Sequence, residues 1–260
     1  MSLPSPLLDV QGLTRRFGGL VAVNDVTFQV APGEIAGLIG PNGAGKTTLF
    51  NMLAGSMEPS AGRIVFDGAD CSGLPARQMA RLGVARTFQI TSLFPGLTTF
   101  DNVVTGSYRT GRSGWAQSLL RAPSYRREET AAARRAREIL SFVDLDSRAD
   151  MLADDLSYGE QRRLEIAIAL AAEPTLLLLD EPAAGMNPEE GQRLVTMIRQ
   201  IRDRGITVLI VEHHMRVVMN VCDRVIVIDH GVKIAEGTPA EIARHPEVIR
   251  VYLGREVVGA

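Results

Sequence analysis

The chain has 260 residues, of which 45% are apolar and 22% are charged, and its formal net charge is −2. Because the charge is nearly balanced, the composition argues against a globally basic nucleic-acid-binding protein and against an acidic disordered chain, and we expect no nucleic-acid partner. Only two cysteines occur, Cys71 and Cys222, far apart in the sequence, which excludes a disulfide scaffold and a thiolate zinc site.

The sequence has no pattern that predicts a membrane-embedded protein. The amino terminus lacks a basic region followed by an apolar run, so no secretory signal is expected. No apolar stretch reaches the roughly 18–20 residues that a membrane helix needs. The longest candidate, 164–179, is interrupted by Glu173 and Pro174. The protein is therefore expected to be soluble, or to sit on a membrane only through a partner.

The first hundred residues alternate between strand and helix patterns. Short strands are predicted at 7–10 and 23–30, and a buried strand at 34–39 leads into a glycine-rich loop. A helix from Lys46 to Ala54, closed by Gly55, follows the loop. The remaining predicted elements here are a strand at 62–67, a helix at 75–82 and a strand at 84–88.

Strand patterns are missing from about residue 100 to 172, where Ala, Arg and Glu dominate. We interpret this region as a helical subdomain inserted into a single domain that spans 1–260. Its predicted helices are near 100–108, 126–142 and 158–172. Afterwards strands are predicted at 175–179, 206–211, 224–228 and 232–235, and helices at 188–203 and 213–220. This alternation predicts a mostly parallel sheet covered by helices.

Arginine is concentrated within the predicted insert. Residues 107–137 contain eight arginines and two glutamates. A solvated helix face explains this composition, and so does a face near lipid headgroups or a partner. The sequence leaves both interpretations open.

The strongest motif is GPNGAGKTT, which matches G-x-x-x-x-G-K-[ST] directly after a predicted strand and at the start of a predicted helix. Its glycines let backbone N–H groups converge on phosphate oxygens, and the helix N-terminus adds partial positive charge. Lys46 supplies a compact ammonium for the β- and γ-phosphates. The Thr47 hydroxyl is a candidate Mg²⁺ ligand. The predicted nucleotide-binding residues of the loop are Gly40, Pro41, Asn42, Gly43, Ala44, Gly45, Lys46, Thr47 and Thr48.

A second motif, LLLLDEP, places two carboxylates after an apolar strand. Asp180 is expected at the edge of the sheet, where it can hold Mg²⁺ through water. Glu181 lies one residue further, on the γ-phosphate side, and is the candidate base or water-positioning group. Strand ends often carry acidic residues, so this assignment depends on the phosphate loop upstream.

A third motif, LSYGEQ, has Ser157 followed by Glu160, which is the pattern of a capping box at a helix start. By itself the motif indicates only a cap. Gly159 leaves the first turn without a side chain, however, so the same helix end is also a candidate anion-binding site.

Taken together, these motifs resemble the ATP-binding subunits of ABC transporters over nearly the whole chain. The phosphate loop corresponds to Walker A, LLLLDEP to Walker B and LSYGEQ to the ABC signature, in the order typical of the family. The resemblance implies that Gln89 is the Q-loop glutamine and a Mg²⁺ ligand. It also implies that His213 is the switch histidine, that Phe17 stacks on adenine and that residues 183–187 form the D-loop.

The family likeness also implies a set of cofactors and roles. ATP and Mg²⁺ are the expected cofactors, and the metal ligands are expected to be Thr47, Gln89 and Asp180. The implied catalytic residues are Glu181, His213, Gln89 and Lys46. A second ATPase subunit, identical or paralogous, would pair head to tail with this one. Each ATP would then lie between the Walker motifs of one subunit and Ser157, Gly159 and Glu160 of the other.

The sequence departs from the family pattern at four positions. Tyr158 and Glu160 differ from the commonest signature, LSGGQ. Asn187 stands where aspartate is usual, and His214 stands where aspartate often follows the switch histidine. None of these changes removes a group that contacts phosphate, so ATPase chemistry remains the expectation, whereas the D-loop change bears on dimer coupling.

The implied fold is α/β: a P-loop parallel sheet, a small antiparallel N-terminal subdomain and an inserted helical subdomain. Dimer closure would act on transmembrane permease subunits docked beside the Q-loop, at the cytoplasmic face of the inner membrane. The apolar residues that follow Gln89 would either cover the core or form the groove that receives a permease helix. These residues are Leu93, Phe94, Leu97 and Phe100.

Longer stretches narrow the resemblance to the LivG-type subunits of branched-chain amino acid importers. The stretches are FGGLVAVNDV, GPNGAGKTTLFNMLAG, ARTFQ with LFPGLTTFDNV, and HPEVIRVYLG. Cassettes of lipopolysaccharide export and of amide or urea import are alternatives. A soluble ABC ATPase of translation or DNA repair usually has two fused cassettes or a long coiled coil, and the sequence has neither. A non-hydrolysing scaffold would be expected to lack Glu181 or Lys46.

Overall fold

A computed structural model of the chain describes residues 5–87, 93–107 and 123–253. Gln89 and residues 108–122 of the arginine-rich segment lie outside these ranges. The described chain divides into two compact units. Unit 1 contains the residues up to Leu82 and from Leu178 onward, and unit 2 is Gly83–Leu177.

The strands in chain order are β1 (Leu8–Phe17), β2 (Leu20–Val30), β3 (Ile35–Ile39), β4 (Ala61–Phe66), β5 (Ala69–Asp70), β6 (Val84–Arg86), β7 (Leu176–Asp180), β8 (Thr207–Val211), β9 (Arg224–Asp229) and β10 (Val232–Gly237). The helices are α1 (Lys46–Leu53), α2 (Ala76–Arg81), α3 (Thr99–Ser107), α4 (Pro123–Phe142), α5 (Tyr158–Ala171), α6 (Pro188–Asp203), α7 (Met215–Val221), α8 (Pro239–Ile242) and α9 (Pro246–Leu253). Among the described residues, none of the helices combines the length and apolar character needed to cross a membrane.

The N-terminal strands form an antiparallel sheet in the order β2-β1-β4-β5. Its register pairs Leu8 with Val30 at one end and Phe17 with Leu20 at the hairpin. The strands are longer than the predicted 7–10 and 23–30. The second half of β1 has polar side chains without a clear alternation, and backbone pairing with β2 extends it instead.

The second sheet has the order β10-β9-β3-β8-β7-β6. In unit 1, β3 pairs in parallel with both β8 and β9, while β10 pairs antiparallel with β9 at the edge. Every residue of β3 and β8 is buried, as expected for strands with helices on both faces. In unit 2, the Gly83 carbonyl accepts N–H bonds from Thr175 and Leu176 beside β6 and the start of β7. The predicted sheet is thereby confirmed.

This parallel arrangement positions the candidate site. The phosphate loop follows β3, Asp180 ends β7, and Glu212 and His213 follow β8. Because parallel strands present their carboxyl ends at one edge, these residues converge there, where α/β proteins bind ligands.

Unit 2 is built mainly from α3, α4 and α5. A side chain at Gly106 would place its Cβ 2.2 Å from the Ile168 carbonyl, so glycine is required for α3 to pack this closely on α5. Ala136, Leu140, Leu164 and Ala167 are buried in this unit. The predicted helical region lies within unit 2, whose first and last residues extend beyond it.

Several elements differ from the sequence prediction. Helices α8 and α9 and the short strand β5 were not predicted, although Thr238 and Glu241 form a capping box whose pattern signals α8. Strand β6 ends at Arg86 rather than at residue 88. Helix α7 begins at Met215 rather than at 213, because His214 has an extended backbone (φ −77°, ψ 92°) and is the N-cap of the helix.

Candidate functional site

The phosphate loop packs too closely against its neighbours to accept side chains at two of its glycines. A Cβ on Gly40 would lie 2.2 Å from the Ile228 carbonyl oxygen, and one on Gly45 would lie 2.4 Å from the Ala22 carbonyl oxygen. Gly45 also has φ of +99°, which favours glycine. The loop therefore leaves its backbone unobstructed next to the start of α1, an arrangement suited to an anion.

Lys46 is buried inside this loop, with 6% of its surface exposed. Its Nζ donates to the carbonyl oxygens of Gly40 at 2.7 Å and Pro41 at 2.9 Å. Burial lowers the pKa of the Lys46 ammonium, and the nearby carboxylates of Glu181 and Asp180 act in the opposite direction. The ammonium and both Walker B carboxylates are thus close enough to interact electrostatically.

Strand β7 delivers the two carboxylates. Its four leucines are fully buried, Asp180 is half-buried, and the backbone then turns sharply. Glu181 has φ of +46°, a left-handed conformation uncommon for a residue with a side chain and often found at functional sites. Its N–H donates to the Val211 carbonyl at 2.8 Å, which ties this turn to the end of β8.

His213 faces Glu181 from the segment after β8. Its Nδ1 lies 3.6 Å from Glu181 Oε1, and both side chains are partly exposed. This distance is longer than a hydrogen bond, as catalytic contacts often are before a substrate binds. The structure therefore brings Lys46, Asp180, Glu181 and His213 together at the carboxyl edge of the sheet in unit 1.

Glu212 is a site-associated residue that the sequence analysis did not identify. It is fully buried, and its carboxylate accepts N–H bonds from Ala183 at 2.9 Å and from His213 and His214 at 2.8 Å each. Its position in the sequence could have identified it. Glu212 directly follows the apolar strand TVLIV, so it is expected at the same edge of the sheet as Asp180.

Phe17 ends β1 and is partly exposed. The Arg15 guanidinium carbon lies 4.8 Å from the centroid of its ring. Arg15 is held in place by a 2.7 Å bond from its Nη1 to the Glu58 carbonyl. The ring therefore has a cation on one face, and its exposed surface is compatible with stacking on a base.

The signature residues belong to unit 2. Ser157 caps α5 in a complete capping box, with its N–H donating to Glu160 Oε2 at 2.9 Å. Glu160 Oε1 also accepts from Arg148 at 2.9 Å. Burial acts to raise the pKa of Glu160, but the bonds from Ser157 and Arg148 prevail and lower it. Ser157 is exposed, so its side chain reaches solvent at the helix end, whereas Gly159 is buried.

The D-loop substitution Asn187 has a local structural role. Its side-chain oxygen accepts from the N–H groups of Glu189 and Glu190, both at 3.0 Å, and Glu190 accepts from the Asn187 N–H. Asn187 therefore caps α6, and asparagine and aspartate are about equally effective in that position.

Two described residues offer oxygen donors for a divalent cation. Thr47 is an exposed hydroxyl next to Lys46, and Asp180 ends β7. A hydroxyl and a carboxylate are donors that Mg²⁺ accepts, so the chemistry of this pair fits that ion. Gln89, the third predicted ligand, lies outside the described residues.

Comparisons with known proteins agree with this geometry. Residues 23–184 match the family model described as ABC transporter, and residues 232–258 match the one described as branched-chain amino acid ATP-binding cassette transporter. The chain is 45% identical over 253 residues to the high-affinity branched-chain amino acid transport ATP-binding protein LivG of Escherichia coli K12. This alignment covers 97% of this chain and 99% of the relative.

A second relative and a solved structure give the same result. The chain is 44% identical over 250 residues to the corresponding transport ATP-binding protein BraF of Pseudomonas aeruginosa, covering 96% of this chain and 98% of that protein. The crystal structure of an ATP-binding cassette of an ABC transporter in its ADP conformation superposes with a TM-score of 0.84 at 28% identity. It covers 96% of this chain and 99% of that chain.

The sheet order, the phosphate loop and the converging carboxylates define an ATP-hydrolysing nucleotide-binding protein. The chain belongs to the ABC transporter family, within the group of ATP-binding proteins that includes LivG and BraF. The predicted family and the predicted fold class are both confirmed.

Proposed function

We propose that this protein is the ATP-hydrolysing subunit of an importer of branched-chain amino acids. The geometry that supports hydrolysis is the convergence of Lys46, Asp180, Glu181 and His213 at one sheet edge. The substrate class is supported by the match of residues 232–258 and by the branched-chain amino acid transport function of the relatives LivG and BraF.

Each residue at this edge has a separate task in the proposed reaction. Lys46 and the loop N–H groups bind the β- and γ-phosphates, and Phe17 stacks on adenine. Thr47, Asp180 and Gln89 would hold Mg²⁺, which neutralises phosphate charge. Glu181 orients a water and accepts its proton as the oxygen attacks the γ-phosphorus and the bond to the bridging oxygen breaks. His213 supports Glu181 and the γ-phosphate, and the products are ADP and phosphate.

The complete site is proposed to require two ATPase subunits. In a head-to-tail dimer with an identical or paralogous subunit, Ser157, Gly159 and Glu160 of one subunit face the ATP held by the other. Transmembrane permease subunits receive the motion of dimer closure. The protein would then reside at the cytoplasmic face of the inner membrane, attached through the permease.

Glu181→Gln tests the hydrolytic role because it keeps the side-chain shape and removes the basic carboxylate. We expect turnover to fall by roughly 10²–10⁴, the usual contribution of a general base. ATP should still bind, and a closed dimer should accumulate on size-exclusion chromatography. Steady-state phosphate release measures the turnover, and a rate equal to that of the wild type would show that Glu181 is not the base.

The substrate class is tested separately in cells. Deletion of the gene should reduce uptake of labelled leucine, isoleucine or valine, and a plasmid copy should restore it. The Glu181→Gln copy should fail to restore uptake. If deletion leaves uptake of all three amino acids unchanged, the proposed substrate is wrong, although the assignment as an ATPase remains.

A further inference from the structure

We propose that Glu212 is a positioning residue for ATP hydrolysis. Its buried carboxylate joins the turn that follows Glu181 to the segment that carries His213, and so sets the geometry between these two side chains. The proposal rests on the roles proposed above for Glu181 and His213.

The hydrogen bonds of Glu212 divide between the two segments. Oε1 accepts the N–H of Ala183, two residues after Glu181, at 2.9 Å. Oε2 accepts the N–H groups of His213 and His214 at 2.8 Å each, and it lies 3.0 Å from Nδ1 of the His214 ring. One carboxylate thus bridges both halves of the site with its two oxygens.

The burial of Glu212 makes these bonds expensive to break. The carboxylate is fully buried, whereas the side chains of His213 and His214 are nearly half exposed. A buried carboxylate depends on its hydrogen-bond donors, and leaving any of them unpaired is unfavourable. The bridge is therefore rigid, although the side chains it positions reach solvent.

The end of β8 holds the Glu181 turn at two consecutive points. The Val211 carbonyl accepts the N–H of Glu181 at 2.8 Å, and the next residue, Glu212, accepts the N–H of Ala183. The turn is strained at Glu181, whose φ is +46°, so contacts with neighbouring residues must hold its conformation. Val211 and Glu212 supply two such contacts.

The same carboxylate holds the segment that precedes α7. The N–H groups of His213 and His214 point at Glu212, and the first helical residue is Met215. His213 precedes the helix and the N-cap His214, and its Nδ1 lies 3.6 Å from Glu181 Oε1. If these N–H groups were released, the segment would lose the contacts that hold the imidazole beside Glu181.

A carboxylate that only filled the core would affect stability alone. A positioning carboxylate also affects the rate of the chemical step, because small displacements of catalytic groups cost much of their effect. Glu212→Gln discriminates between these roles. The amide keeps one acceptor oxygen but turns its NH₂ group toward one of the two sets of N–H donors.

We expect Glu212→Gln to lower kcat by roughly 10- to 100-fold with little change in KM for ATP. Glu34→Gln is the matched control, because Glu34 is also a mostly buried, hydrogen-bonded carboxylate, paired with Arg224 at the amino end of β3. Glu34→Gln should keep the wild-type kcat at a temperature where both variants are folded. A wild-type kcat in Glu212→Gln, or an equal loss in the control, would overturn the proposal.

The double variant with His213→Ala tests whether Glu212 acts through the histidine. When two residues act as a unit, replacing both lowers activity by less than the product of the two single losses. Glu212→Gln should therefore lower kcat much less in the His213→Ala background than in the wild type, and full multiplication of the two losses would contradict the inference. If His213→Ala alone keeps the wild-type kcat, the proposed role of His213 is wrong. If His213→Ala lowers kcat but Glu212→Gln does not, the proposed role of Glu212 is wrong.

Two further measurements do not depend on the stability of the glutamine variant. Glu212→Asp keeps the charge but is one methylene shorter, so it cannot reach both segments, and the same kcat loss is expected. In the wild-type protein, amide hydrogen exchange should be slow at Ala183, His213 and His214, although both histidine rings are exposed. Rapid exchange at these amides would contradict the bridge.

Discussion

Single residues at the nucleotide site are held in conformations that only their surroundings explain. Lys46 lies inside a loop of glycines and donates to two loop carbonyls, while Glu181 has a left-handed backbone stabilised by Val211. Glu212 has no contact implied by its sequence neighbours, yet it joins two segments that are separated by 29 residues. At this scale, function depends on a few buried polar contacts.

Lys46→Ala should remove ATP binding or weaken it severely, because the ammonium that pairs with the phosphates is lost. The only other lysine, Lys233, provides a matched control, since it pairs with Glu236 at 2.6 Å on β10. Lys233→Ala should bind ATP like the wild type. Titration with a fluorescent nucleotide measures both affinities, and unchanged binding in Lys46→Ala would mean that the loop is not the main phosphate site.

Helix α5 has two roles within its first turns. Its N-terminus carries the signature, where Ser157 and Glu160 form the cap. One turn further, Arg162 Nη1 donates to Glu165 Oε2 at 2.9 Å, and Nη2 donates to the Tyr158 hydroxyl at 3.0 Å. A structural cap and a buried ion pair therefore lie next to the exposed signature surface.

The cap and the proposed composite ATP site can be separated at Ser157. Ser157→Ala should lower the free energy of unfolding by about 1 kcal/mol, because the side-chain cap is lost. Ser157→Asp should retain the cap and the stability, yet abolish hydrolysis by repelling the partner subunit's ATP. Denaturant unfolding and phosphate release measure the two effects. Normal hydrolysis in Ser157→Asp would show that this hydroxyl does not meet nucleotide.

The same helix should contribute a pH-dependent term to stability. Burial raises the pKa of Glu165 from 4.5 to about 7, although Arg162 acts in the opposite direction. The folded state then binds this proton more tightly than the unfolded chain, so the stability contributed by Glu165 falls as pH rises from about 4.5 to about 7. Above that range the loss is complete.

Comparison with Glu165→Gln, which removes this titration, isolates the effect. The stability of the wild type relative to the variant should decline between about pH 5 and about pH 7 and then stay level. Denaturant unfolding at several pH values measures both proteins. A difference that stays constant over this interval would show that Glu165 keeps an ordinary pKa.

At the scale of the whole molecule, the exposed apolar surface of unit 2 points to a partner. Phe94 is 53% exposed, and Leu97 and Leu152 are also exposed. Asn102 holds the turn beneath them, with Oδ1 accepting from the Phe94 N–H at 2.9 Å and Nδ2 donating to the Phe94, Leu97 and Thr98 carbonyls. An ordered, exposed apolar turn fits the groove expected for a permease helix better than a core position.

Phe94→Asp should therefore leave the basal ATPase activity of the purified subunit nearly unchanged and detach or uncouple the subunit from the permease. Leu82→Asp is the control, because Leu82 is a similarly exposed apolar residue in unit 1. Co-purification with the permease and uptake of labelled leucine measure coupling. If Phe94→Asp misfolds, Phe94 belongs to the core, and if it couples normally, the groove lies elsewhere.

The sequence predicted most of the elements whose patterns are strong and local. The apolar runs of β3, β7 and β8, the loop before α1 and the cap of α5 all depend on residues adjacent in the chain. The second half of β1 and the two-residue β5 were missed, because their side chains show no apolar alternation and backbone pairing with β2 and β4 maintains them instead. The start of α7 was misplaced, because His214 adopts an extended backbone that the local pattern does not indicate.

By itself the sequence determined the family, the parallel sheet and the residue types that handle phosphate, since spaced glycines, one lysine and strand-end carboxylates have few other uses. Only the tertiary structure decided which side chains meet. It placed Glu181 beside His213 and buried Glu212 between two segments. The physical reason is that such contacts join residues far apart in the chain, and their distances follow from strand order and packing, which local patterns do not encode.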